Sequence, residues 1–218
     1  MRKRFEHLKL VGGALCLDFA NTVDWRTTEP PTDWLHDYED VIRWCRYAGV
    51  LAGGQAKRLH ERAASNPDDA CAAFDQAVAL REAIYRVFAA QSAGRPILAR
   101  DLGLLNHVLT DAMAHLKLAL TEGNLVWAWH NVEGLLEWPS WLIARSTADL
   151  LASERRSRVR ECAGPGCGWL FLDMSRNRSR RWCDMADCGN RAKARRNYAR
   201  KRGRAVRTTR PKPHVDGP

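Results

Sequence analysis

Four cysteines near the carboxyl end of the 218-residue chain have the spacing of metal ligands. They form two pairs, Cys162/Cys167 and Cys183/Cys188, with four residues inside each pair and fifteen between the pairs. Zinc takes four tetrahedral ligands and binds thiolates tightly. The glycines and the proline within residues 163–166 suit a tight knuckle that turns both sulfurs of the first pair towards one centre. The spacing therefore predicts one structural Zn²⁺ held by all four cysteines.

Disulfides and an iron–sulfur cluster are the other uses of such cysteines. The apolar start of the chain is interrupted by Glu6 and Lys9 and ends at Asp18, which argues against a secretory signal. We therefore expect a cytosolic protein, whose thiols stay reduced. An iron–sulfur cluster remains an alternative, since it also uses four thiolates. The symmetric pairs and the basic segment that follows them favour zinc.

An arginine-rich, helix-forming segment follows the last cysteine directly. Residues 154–218 hold 19 Lys or Arg against 6 Asp or Glu, a net charge of +13, whereas residues 1–153 have a net charge of −3. In a helix with this many positive charges, the side chains repel one another unless phosphates surround them. Arginine and asparagine are also side chains that hydrogen-bond to the edges of DNA bases. A solvated basic face, or a contact with the acidic part of the chain, is the alternative. We predict nucleic-acid contacts by Arg180, Arg181, Asn190, Arg191, Lys193, Arg195, Arg196, Arg200, Lys201 and Arg202.

The elements around the cysteines predict a small treble-clef-like zinc finger. Strands are expected at 158–160 and 168–172, and Cys188 is expected in the first turn of the basic helix. About forty residues cannot bury a stable core alone, so zinc binding, worth roughly 10–16 kcal/mol, is expected to drive the folding of the finger.

The amino-terminal part is predicted to be mostly helical. Alternating apolar residues indicate two short β-hairpins, at 5–20 with a Gly12-Gly13 turn and at 115–130. Apolar residues at helical spacing predict helices over 33–50, 55–64, 66–92, 98–114 and 138–153. The predicted fold class is thus α+β. We expect a domain at 1–153, the finger at 154–204 and a basic, disordered tail at 205–218.

The amino-terminal part shows no catalytic motif in its sequence. It lacks a phosphate loop, a nucleophile elbow and a His-Glu-x-x-His motif. Cys16, Cys45 and Cys71 are widely spaced on apolar faces, so we predict ordinary buried thiols. We therefore expect no enzyme activity.

Six polar residues within or beside apolar segments are candidates for a ligand pocket. A second interpretation of the first three is that they cap the next element and satisfy buried backbone groups. The candidates are Asp18, Asn21, Thr22, Arg81, Asn106 and Arg145.

The sequence resembles two known families. The stretch from Trp182 to Arg191, with its Cys-Gly-Asn-Arg, resembles the CGNR zinc-finger family. Residues 12–22 (Gly-Gly-x-Leu-x-Leu-Asp-Phe-x-Asn-Thr), 80–85 and 138–146 resemble the ABATE domain that precedes this finger in the family. Its members are regarded as stress-induced bacterial transcription regulators. The resemblance implies zinc binding by the four cysteines and regulation linked to DNA; it identifies no effector.

These observations favour a zinc-dependent DNA-binding transcription regulator. Its amino-terminal domain would sense a small molecule or mediate association. Since one finger reads few base pairs, we expect a homodimer in the cytoplasm, at the nucleoid and not at a membrane. An alternative is an RNA- or ribosome-associated protein that stacks bases on Trp169, Trp182 and Tyr198.

Overall fold

The computed structural model describes residues 5–208, with side chains as far as residue 200. A 3₁₀ turn (Phe5–His7) precedes the first helix. The helices are α1 (Leu15–Ala20), α2 (Tyr38–Tyr47), α3 (Gly53–Ser65), α4 (Pro67–Ser92), α5 (Ala99–Ala114), α6 (Trp138–Ala152) and α7 (Asn190–Thr208). Three antiparallel two-stranded sheets pair β1 (Val23–Asp24) with β2 (Thr32–Asp33), β3 (Leu116–Thr121) with β4 (Asn124–Trp129), and β5 (Val159–Glu161) with β6 (Leu170–Leu172). The predicted α+β class is confirmed.

Helix α4 is the centre of the amino-terminal part. Asn66 and Pro67 start it as predicted, with acids at Asp68 and Asp69 near the positive end of the helix dipole. It contacts α1, α2, α3, α5 and α6, and both strands of the β5–β6 sheet. Its small residues let neighbours approach closely, while Ile84 and Phe88 are fully buried in the core. Among the helices described here, none is long and apolar enough to cross a membrane.

The hairpin predicted at 5–20 is wrong. Residues 15–20 form helix α1, and Gly13, with φ of 78°, precedes the helix instead of making a hairpin turn. The alternation of Leu15, Leu17 and Phe19 suggested a strand. However, the residues between them include Cys16, which is also fully buried. Because α1 packs against both α4 and α6, adjacent residues of the helix are buried together. The alternation of apolar residues therefore does not distinguish a strand from a helix here.

The second predicted hairpin is confirmed as β3–β4. Its turn places Glu122 at φ 50° and Gly123 at φ 81°, the pair of positive angles that suits a tight two-residue turn. The other helices lie close to their predictions, except that α2 begins at Tyr38 and not at residue 33. The Asp37 side chain caps α2 by accepting from the Asp40 N–H.

Two further expectations need correction. Cys71 is exposed on α4, whereas Cys16 and Cys45 are buried as predicted. Helix α7 continues to Thr208, so the first four residues of the predicted tail, 205–208, are helical. The rest of that tail lies outside the described residues.

Candidate metal centre and nucleic-acid interface

The four predicted cysteine ligands converge on one point. The sulfurs of Cys162, Cys167, Cys183 and Cys188 all lie within 4.8 Å of one another, and all four residues are buried. The Cys183 sulfur is 3.6 Å from that of Cys167 and 3.7 Å from that of Cys188. Tetrahedral zinc with Zn–S bonds of about 2.3 Å requires sulfurs about 3.8 Å apart. The donor set therefore fits one structural Zn²⁺.

Hydrogen bonds to its sulfur support the thiolate form of Cys162. The backbone N–H groups of Gly164 and Cys183 donate to the Cys162 sulfur at 3.4 and 3.3 Å. Hydrogen bonds from the thiols of Cys167 and Cys183 also lower the pKa of Cys162, whereas the hydrogen bond with Cys162 raises the pKa of Cys183. Thiols this close cannot all ionise unless a cation balances their charge, so four thiolates here require a metal ion.

The knuckle between the first two cysteines needs its glycines. A Cβ at Gly164 would lie 2.9 Å from the Cys188 sulfur, and a Cβ at Gly166 would lie 2.7 Å from the ring of Trp25. Gly166 also has a φ of 80°, which side chains rarely tolerate. The predicted tight knuckle is therefore packed against both the metal centre and the amino-terminal part.

The last ligand connects the metal centre to the basic helix. Cys188 lies in a π-helical turn, Met185–Gly189, which runs directly into α7. The Asp184 side chain caps this turn by accepting from the Ala186 N–H at 2.7 Å. The sequence pattern predicts Cys188 in the first turn of the basic helix, whereas Cys188 lies in the turn immediately before α7. The metal therefore fixes the direction in which α7 leaves the finger.

Three of the residues predicted to contact nucleic acid are engaged in contacts within the protein, at the metal centre and the start of α7. The Arg180 guanidinium lies over the Phe171 ring at 4.4 Å and donates to the Trp182 and Cys183 carbonyls. Arg191 donates to the Cys188 sulfur at 2.9 Å and lies over the Trp25 ring at 4.7 Å. The Asn190 side chain donates to the Ala186 carbonyl. These contacts hold the metal centre and the start of α7.

The other predicted cations of α7 face solvent. Lys193, Arg195, Arg196 and Arg200 are exposed, and residues 190–200 hold five Lys or Arg and no Asp or Glu. Arg181 is exposed beside Trp182, with its guanidinium 5.7 Å from the ring. The side chains of Lys201 and Arg202 lie outside the described residues. Residues 193–200 of α7 thus form a cationic helical segment whose charged side chains are exposed to solvent.

The finger is packed on the amino-terminal part through Asn21. This residue is 1% exposed; its amide donates to the Leu170 carbonyl and accepts from the Leu170 N–H, both at 2.8 Å. Asn21 thus pairs with the edge of β6 as a neighbouring strand would. Val159, Leu170 and Leu172 of the finger belong to the same buried cluster as the amino-terminal helices.

Two further residues, not predicted from the sequence, link the finger to the rest of the chain. Lys9 forms ion pairs with Asp184 and Asp187 at 2.5 and 2.6 Å, and these hydrogen bonds raise the pKa of Lys9. Trp25, with a φ of 54°, lies between the knuckle and Arg191. No local pattern could reveal the Lys9 pairs, because their partners are 175 and 178 residues away.

The structure places the six ligand candidates in different surroundings. Asp18 accepts from the Gly12 N–H at 2.7 Å, and burial raises the pKa of its carboxyl to about 6. Arg81 is 3% exposed and pairs with both carboxylate oxygens of Asp33 at 2.7 Å, with Thr22 beside it at 3.4 Å. The buried contacts of Asp18, Asn21, Thr22 and Arg81 are with the protein itself.

The other two ligand candidates lie on helix surfaces. Asn106 is exposed on α5. Arg145, on α6, donates to Asp149 at 2.9 Å and lies 5.0 Å from the Trp127 ring. It also borders a cavity of about 390 Å³ formed with Gly13, Leu142 and Ser153, among others.

We expect Asn21→Ala to destabilise the protein by about 2–6 kcal/mol. The change leaves the buried N–H and C=O of Leu170 without partners, at about 1–3 kcal/mol each. Urea unfolding of the zinc-loaded protein measures the loss. The exposed Asn106→Ala is the control and should change the free energy of unfolding by no more than about 0.5 kcal/mol. Equal stability of the two variants would contradict the role of Asn21.

Two protein-family models match the chain. The ABATE model, described as "Putative stress-induced transcription regulator", matches residues 13–154. The CGNR zinc-finger model matches residues 158–201 and so includes all four cysteines. A comparison with curated proteins found no match.

Proposed function

From the premise that the chain belongs to the ABATE family and carries a CGNR zinc finger, we propose that it is a zinc-dependent DNA-binding transcription regulator. The observation that carries the proposal is the exposed cationic surface of α7, which starts at the metal centre. Lys193, Arg196 and Arg200 follow one side of the helix at spacings of three and four residues, and Arg195 lies beside them. A helix is the element that the major groove of DNA admits.

The arrangement of charge supports a polyanionic partner. Inside the finger, arginines hold carbonyls, an aromatic ring and a sulfur. The cations from Lys193 to Arg200 are instead on the outside, where phosphates can reach them. Arginine can also contact guanine with two hydrogen bonds, so the same surface suits both backbone and base contacts.

The amino-terminal domain would pass a signal to the finger or mediate association. It contacts the finger through Asn21, Lys9 and Trp25, so a change in those contacts would alter how α7 is held. Two copies would place two fingers on two half-sites, which a single finger needs for useful specificity. Such a regulator would work in the cytoplasm, at the nucleoid. It would act by binding and not by catalysis, in line with the two family descriptions.

RNA binding is the second candidate function. Tyr198 is 64% exposed among the arginines of α7, where a base could stack on its ring. Trp169 is less suited to this role than the sequence suggested, because its indole N–H donates to the Val23 carbonyl at 3.0 Å in the contact with the amino-terminal part.

Binding of the full zinc-loaded chain to labelled genomic DNA fragments tests the proposal. We expect selective binding whose logarithmic affinity falls linearly with the logarithm of salt concentration. Structured and single-stranded RNA serve as competitors in the same assay. Absence of DNA binding, or stronger binding to RNA than to every fragment, would reject the DNA proposal.

A further inference from the structure

The β3–β4 hairpin has one entirely apolar face. Residues paired directly across an antiparallel ladder point to the same side. The pairs Leu116 with Trp129, Leu118 with Trp127 and Leu120 with Leu125 therefore share a face. The pairs between them share the other face, which contains Lys117, Thr121 and Asn124. One side of the hairpin is thus apolar along its whole length, and the other is mixed. We call the first side the hairpin face.

The outer two-thirds of the hairpin face is exposed. Leu118 is 59%, Leu120 72%, Leu125 72% and Trp127 50% exposed, whereas Leu116 and Trp129 at the base are half-buried. These four side chains leave on the order of 500 Å² of apolar surface open, similar to the roughly 300–600 Å² of the largest patch on a typical monomer. A contiguous patch of this size commonly marks a binding surface.

The position of the hairpin allows a partner to reach this face. The ring of Trp127 contacts α6 through Arg145, whose guanidinium carbon lies 5.0 Å from the ring centroid. His115, just before β3, stacks on Trp141 of α6 at 4.5 Å. The base of the hairpin is therefore fixed on α6, while its tip extends beyond that helix. Within the described residues, β3 and β4 pair only with each other, so their outer edges are open.

We propose that the hairpin face binds the same face of a second copy of this chain and forms a twofold dimer. Two-stranded hairpins are marginally stable in water, and covering the apolar face would stabilise this one. Residues 116–129 contain two charged residues, Lys117 on the opposite face and Glu122 in the turn. A charged ligand or nucleic acid would find no complementary charge on the hairpin face, whereas a second hairpin matches it in chemistry.

The area is consistent with such a dimer. A standard interface buries about 800 Å² on each partner. The exposed part of the hairpin face provides on the order of 500 Å² of this, and the open strand edges beside it can contribute further area in a twofold contact. A contact between identical faces also closes after two copies, so it yields a dimer and not a filament. The dimer itself is argued from the hairpin face alone. Its role, which is to place two fingers on one DNA site, rests on the proposed regulator function.

Sedimentation of the full zinc-loaded chain, freed of nucleic acid, tests the proposal. We expect the wild type to be a dimer. Leu120→Thr together with Leu125→Thr keeps residues that favour strands but removes apolar surface, and should raise the dimer dissociation constant at least about 100-fold. Val126→Thr, on the opposite face of the same strand, should leave the dissociation constant within a few-fold of the wild-type value.

Circular dichroism confirms that both variants are folded before their association is compared. A monomeric wild type, an unchanged dimer in the double variant, or an equal loss in Val126→Thr would each overturn the proposal, as would open-ended association. Because DNA is absent, a dimer that later fails to bind DNA would reject the proposed function and leave the hairpin dimer standing. Binding of DNA by a monomeric wild type would reject the hairpin dimer and support the proposed function.

Discussion

Cys183→Ser is expected to abolish zinc binding and to unfold the finger. Cys183 is one of the four ligands: its sulfur lies close to those of Cys167 and Cys188, and its N–H donates to the Cys162 sulfur. Zinc binding contributes roughly 10–16 kcal/mol to such modules, which is comparable to the entire stability of a typical domain, about 5–15 kcal/mol. A finger that lacks one thiolate therefore cannot stay folded through its small core.

The effect should extend into the amino-terminal part. Val159, Leu170 and Leu172 of the finger pack in its core, so loss of the finger strands uncovers buried helix surface. We expect its free energy of unfolding to fall by at least about 2–5 kcal/mol, the range for removing a single large core side chain. Elemental analysis should show zinc falling from one ion per chain to none, and urea unfolding measures the loss of stability.

The control for this substitution is Cys71→Ser. Cys71 is an exposed thiol on α4, outside the metal centre, so the change should leave zinc content, stability and DNA binding as they are. If Cys183→Ser lost its zinc ion but kept sequence-specific DNA sites in cells, the structural role of the metal would be disproved, and retention of one zinc ion would show that Cys183 is not a required ligand.

Arg195→Ala together with Arg196→Ala should weaken DNA binding while zinc content stays at one ion per chain. Both side chains are exposed on α7 and lie several residues beyond the cysteines. Each lost phosphate contact lowers the slope of log affinity against log salt by about one, so we expect the slope to fall by about two. At low salt the affinity should drop on the order of 10- to 100-fold. Titrations at several salt concentrations give both quantities.

Lys57→Ala together with Arg58→Ala is the matched control. These adjacent cations lie exposed on α3, so the pair removes the same charge from another helix of the same chain. A general effect of net charge would weaken DNA binding equally in both double variants, and that result would contradict a specific role for α7. A loss confined to Arg195 and Arg196 would favour it.

The metal centre and the helices could be predicted because their signals are local. Two cysteine pairs carry the chemistry of zinc wherever they occur, and the knuckle glycines lie between the first two ligands. Asn66, Pro67 and the two acids after them predict the start of helix α4. The alternation of apolar residues on both sides of Glu122-Gly123 predicts the β3–β4 hairpin. At these positions, backbone preference and side-chain burial favour the same structure. The same local alternation failed at α1, where packing against α4 and α6 buried the adjacent residues Cys16 and Leu17 together.

The sequence by itself determined the four zinc ligands, the basic helix after them and most of the helices. Only the tertiary structure decided what Asn21, Arg180 and Arg191 do. Asn21 pairs with Leu170, 149 residues away. The sequence showed Arg180 and Arg191 only as positive charges, whereas in the structure they make contacts that hold the finger together. The physical reason is that residue type and spacing specify which bonds a side chain can make. Which partner is within about 3 Å depends on how distant segments pack, and no local pattern contains that information.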